Sequence, residues 1–136
     1  ASVCRLYREA RSSRLPLLPL VLDFAWPTAP YGMALRRPGA YDRLKCDTTL
    51  ALGVVHYLVF MQKLSFDTIA EIISNYTKKV SIVEFAPRNH SYVAQLIRPE
   101  HTWYELDNFI RAFKKHFSKI SLYDAKPPRK LLFCMK

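Results

Sequence analysis

Two apolar runs of the chain end in side chains that can do chemistry. The stretch "CDTTLALGVVHYL", Cys46 to Leu58, is entered by Asp47 and left through His56 and Tyr57, whose tips are polar. Thr49 to Val55 reads as a nearly uninterrupted hydrophobic strand, and parallel strands of α/β proteins carry their ligand chemistry just past their carboxyl ends. An imidazole at that point, with an ordinary pKa near 6.5, can orient a substrate or take its proton at neutral pH. The alternative is a partly buried histidine satisfied by backbone. The second run, "LPLLPLVLDFA", ends in Asp23 and Phe24, where the acid either faces a ligand or starts the Trp26-Pro27 turn.

Other candidates carry less. Glu84, inside an apolar run, and Arg88, just past it, suit an ion pair or an exposed rim. His90, His101 and His116 show no metal-ligand spacing, and no nucleophile elbow or catalytic cysteine context is present.

The elements that must position these residues follow from periodicity. Residues 3 to 13 read as a helix, with Val3, Leu6, Tyr7 and Ala10 opposite the arginines. The run from Leu15 reads as a strand whose prolines, lacking N–H donors, put it at a sheet edge. A Pro-rich loop leads to a short helix at 38 to 45, with Pro38 in its first turn, and then to the strand at 47 to 55. Ser65 is a plausible N-cap for a helix whose apolar stripe is Phe66, Ile69, Ala70, Ile73 and Tyr76. "KKVSIVEFAP" is the next strand, followed by an irregular polar stretch. Thr102 to Glu105 has the form of a capping box ahead of a helix facing inward with Trp103, Leu106, Phe109, Ile110, Phe113 and Phe117. The final strands, 119 to 125 and 130 to 136, are joined by "KPPR", too short for a parallel crossover, so they pair antiparallel.

The totals set bounds. A chain of 136 residues makes at most one domain. Its 21 Lys and Arg against 11 Asp and Glu, formally +10, favour anionic partners, including nucleic acid, although the basic residues are dispersed. Three cysteines without close spacing argue against a disulfide framework and for a reducing, cytoplasmic compartment. The longest early apolar run, Leu15 to Leu22, contains two prolines and resembles neither a signal sequence nor a membrane span.

Taken in order, these elements resemble the carboxyl-terminal part of a class I S-adenosylmethionine-dependent methyltransferase. "LPLVLDFAWP" resembles the family's third strand, "DTTLALGVVHYL" its fourth-strand motif and "KKVSIVEFAP" its fifth strand. "SKISLYDAKPPRKLLFCMK" resembles the sixth and seventh strands. The resemblance implies an α/β fold over residues 1 to 136: an incomplete Rossmann-like sheet, mostly parallel, with an antiparallel C-terminal strand. It implies adenine contacts at Asp23 and Phe24, and a reacting end at His56 and Tyr57, the latter standing where similar proteins carry a second histidine. The acceptor is not named by any motif.

The family's glycine-rich turn after strand one and its acid after strand two have no counterpart here. Gly32, Gly39 and Gly53 are the only glycines, and none are close enough for a G-x-G turn. The chain therefore reads as a truncated or partial domain, expected to bind S-adenosylmethionine weakly or not at all, to be inactive alone and to self-associate through open strand edges. In such a sheet the strand at Leu17 either closes onto that at Thr49 or stays loosely attached. The competing expectation is a non-catalytic basic α/β module that binds a partner protein or nucleic acid.

Overall fold

Ser65 begins the helix that organises the core. Its hydroxyl accepts from the Thr68 N–H at 3.1 Å, the N-cap bond that satisfies one of the first-turn donors. In the computed structural model, which describes residues 2–136, this helix is α4 (Phe66–Tyr76), preceded by α1 (Ser2–Ser12), α2 (Ala40–Leu44), β1 (Cys46–Ala51) and α3 (Val55–Phe60). It is followed by β2 (Thr77–Phe85), α5 (Ser91–Leu96), α6 (Leu106–Lys114), β3 (Lys119–Asp124) and β4 (Lys130–Met135).

The fold is α/β, with one four-stranded open sheet in the order β1-β2-β4-β3. β1 and β2 are parallel, and β4 is antiparallel to both β2 and β3. Three strands thus run one way, and the last is inserted between two of them in reverse. Strand alternation separates two faces. Ala51, Val83 and Leu132 lie in one row, as do Thr49, Ser81 and Cys134, and this face is covered by α3, α4 and α6. Phe66, Ile69, Phe85, Phe109 and Phe113 fill the space between. The opposite row, Leu50, Ile82 and Phe133, is exposed or half-buried.

Several expectations are corrected. The run from Leu15 to Phe24 has no sheet partner and is irregular, with Leu18 68% and Val21 86% exposed. It is the loosely attached arrangement: Pro16 and Pro19 donate nothing to a ladder, and only Leu22 and Phe24 come alongside β1. The strand expected at 47 to 55 stops at Ala51. Gly53 at φ 67 turns the chain, and Val55, Leu58 and Val59, at helical spacing, bury together as α3. His56 and Tyr57 therefore stand in the first turn of a helix and not on a strand end. The polar stretch after β2 contains α5. The capping box does not form, because α6 starts at Leu106 with Glu105 as its extended N-cap. Tyr104 is responsible: it is fully buried against Phe60, Phe66 and Phe85, and its hydroxyl donates to the Ala86 carbonyl at 2.9 Å, which holds that backbone out of the helix.

Candidate functional site

The turns leaving the carboxyl ends of β1 and β2 bring two histidines together. His56 lies five positions past Ala51 and His90 five past Phe85, the last residues of the adjacent parallel strands. Their ring centroids are 6.2 Å apart. Tyr92, in the first turn of α5, stands 6.4 Å from His56 with its ring nearly parallel, at 8°, and 5.9 Å from His90. Tyr57 packs against His56 at 4.9 Å. The histidines are buried, at 6% and 8% exposure, while Tyr57 and Tyr92 are over half exposed and form the rim.

Burial pushes the His56 pKa down; His90 and Arg129 add to this and Glu84 opposes it. His56 is therefore a neutral imidazole at neutral pH, able to accept a proton. The His90 backbone is fixed, its N–H donating to Pro87 O at 2.9 Å and its carbonyl accepting from Ala94 N at 2.8 Å. Its Nδ1 is buried without a hydrogen-bond partner among the described residues, as is Nε of Arg129. Unpartnered buried polar atoms are rare in folded chains, and the His90 one belongs to the ring facing His56. Glu84, near the end of β2, pairs with Arg129 at 2.8 Å and supplies the local charges.

The other sequence candidates are elsewhere. Arg88 donates to the His101 carbonyl at 3.0 Å and pairs with Glu105 at 3.3 Å, bracing the approach to α6. Asp47 pairs with Lys79 at 2.6 Å at the start of β1, away from the histidines. Asp23 closes a turn, its Oδ1 accepting from Ala25 N at 2.9 Å and Trp26 N at 3.0 Å. Phe24 lines an apolar groove of about 320 Å³ along β1 with Leu22, Leu50, Ala51, Ile73 and Tyr76. Neither Asp23 nor His56 borders that groove, so the two halves of the expected site do not share a pocket.

The glycine-rich turn and the strand-two acid that the resemblance requires for S-adenosylmethionine have no counterpart in the sequence. The turn at Asp23 takes one oxygen of its carboxylate, Oδ1. Of the three glycines, Gly39 is crowded by Pro30 and the Thr28 carbonyl at 3.1 Å and Gly32 faces the Arg37 side chain at 3.5 Å, whereas Gly53, at φ 67, has open space around it. Among the described residues no group of three His, Cys, Asp or Glu is arranged for a metal ion, and no helix is long and apolar enough to cross a membrane.

In the sequence, His90 is set aside for want of metal-ligand spacing and Tyr92 is not singled out, because β1 seems to continue to Val55 and the stretch after β2 reads as irregular. Compared with protein-family models, curated proteins and solved structures, the chain has no match.

Proposed function

We propose that the chain is the carboxyl-terminal, acceptor-side portion of a class I S-adenosylmethionine-dependent methyltransferase domain. The observation that carries this reading is the sheet: β4 runs in reverse between β2 and β3, the arrangement the resemblance implies for the family's last two strands. The chemistry at the carboxyl ends of β1 and β2 supports it, since ligand sites of open α/β sheets lie there. His56 is the proton acceptor. As an acceptor hydroxyl or amine reacts, its O–H or N–H bond breaks, the electron pair stays with the acceptor atom and the proton passes to the imidazole. Tyr57 and Tyr92 supply the exposed surface against which a substrate rests, and His90 positions the His56 ring.

The cofactor side is not built from these residues, so the 136-residue chain transfers no methyl group and binds S-adenosylmethionine no tighter than about millimolar, roughly 4 kcal/mol. Calorimetry with the pure chain tests this part, and saturable binding at micromolar ligand overturns it. The coding sequence upstream of Ala1 tests the family reading separately. A strand, glycine-rich turn and helix in frame there supports it; an upstream stop codon with a stably expressed short protein favours a non-catalytic module.

A further inference from the structure

Away from the histidines, two clefts meet on the helical side of the molecule. One, of about 710 Å³, runs between the α3–α4 loop and the segment after α5, and includes Phe60, Lys63, Gln95, Arg98, His101 and Trp103. The other, of about 350 Å³, lies between the start of α4 and α6 and includes Arg111 and Lys115. Ser65 and Trp103 border both, so the clefts adjoin at the indole. Four cations thus line one track. The acids in it are Glu100 and Asp67, of which Asp67 is paired with Lys115 at 2.8 Å.

The aromatic centre is braced from within. Trp103 is held edge-on by Phe66 at 5.1 Å and is 38% exposed, leaving part of the indole open to the track. His101 packs edge-on against Phe60 at 5.1 Å, and its Nδ1 accepts from the Arg98 N–H at 2.9 Å. In its neutral form that bond puts the ring proton on Nε2, a donor toward a ligand. Lys63 is held at φ 56, a left-handed backbone uncommon outside glycine.

An indole held between cations, with a cleft on either side, is an arrangement that suits single strands: bases stack on the aromatic face while phosphates track the charges. We propose that the joined clefts bind single-stranded nucleic acid, with Trp103 stacking on a base and Lys63, Arg98 and Arg111 contacting phosphates. The net charge of +10 adds long-range attraction but does not select this face. The inference is independent of the methyltransferase reading.

The test uses Trp26→Phe, which changes a residue 83% exposed and leaves Trp103 as the one indole. Titration with a twelve-residue oligothymidylate at low salt is expected to quench Trp103 emission saturably. Arg98→Ala and Arg111→Ala, both at exposed positions, are each expected to lower the salt slope of log K by about 0.7. The double change Arg5→Ala/Arg8→Ala on α1 removes two charges outside the track and is expected to leave the quench amplitude and the midpoint nearly unchanged. Trp103→Ala, with folding checked by circular dichroism, is expected to weaken binding of a labelled oligonucleotide about 5- to 100-fold. The proposal is overturned if Trp103 emission does not respond, or if the α1 changes weaken binding as much as the track changes. Polyglutamate quenching as strongly as the oligonucleotide would also overturn it, as would thymidine monophosphate binding equally tightly, which would leave a small-nucleotide pocket.

Discussion

Residues 15 to 24, "LPLLPLVLDF", and residues 80 to 86, "VSIVEFA", are both apolar runs with a single acid, yet they meet opposite fates. In the first, leucines and valine stand in solvent and the acid caps its own turn. In the second, Val83 and Phe85 are fully buried, and Glu84 is fixed by Arg129. Hydrophobic content is alike, so it does not decide the outcome. What differs is access to partners: β2 has a strand on each side, whereas the earlier run carries two prolines and reaches only the margin of β1. A strand is a property of a pair.

The widest contrast between the two parts should appear in thiol chemistry. Cys134, on β4, is buried and its pKa is pushed up to about 12 by burial, whereas Cys4 on α1 and Cys46 on β1 are exposed. At pH 8 a disulfide reagent is expected to modify Cys4 and Cys46 promptly and Cys134 about a thousandfold or more slowly, since only the thiolate reacts. Three thiols reacting at one rate would mean that β4 is not held in the sheet.

In urea unfolding, Phe85→Ala should cost about 3–5 kcal/mol, as for a large aromatic deleted from a packed core. Val21→Ala should fall within about 0.5 kcal/mol, as for an exposed position. A comparable loss at both would show the early run to be docked. A finer probe is Tyr104→Phe. Removing the hydroxyl leaves the buried Ala86 carbonyl without its donor, and a loss of about 1–3 kcal/mol in the same assay is expected.

The smallest effect concerns the histidine pair. The folded pKa of His56 lies below its unfolded value near 6.5, so below that pH the unfolded chain binds more protons. This group's contribution is fully present above about pH 6.5 and is lost as pH falls toward the folded pKa. His56→Gln should flatten stability against pH in that window. An unchanged pH profile in the variant would indicate that His56 is not the group responsible.

The reversed end of the sheet was readable because each of the last three strands carries its own local signal. "KKVSIVEF" is long and β-branched, and "KPPR" is too short to do anything but reverse the chain. α4 and the apolar face of α6 were readable for the same reason: Ser65, Ile69 and Ile73, or Phe109 and Phe113, fall at helical spacing whatever surrounds them. The site was only half legible. His56 stood out by its position, but His90 is 34 residues further on in a polar stretch and becomes its neighbour only because β1 and β2 pair in parallel.

By itself, then, the sequence determined the helical faces and the reversed end of the sheet, because these depend on residue type and spacing over one or two turns of chain. Tertiary structure decided the rest. It ended β1 at Ala51, since Val55, Leu58 and Val59 bury more completely as a helix against the core than as a continued edge strand. It kept Tyr104 out of α6, because one buried ring and its hydrogen bond to Ala86 outweigh a local cap. It also joined His56 to His90, since contact between distant residues is fixed by which strands pair, a choice made by the whole core.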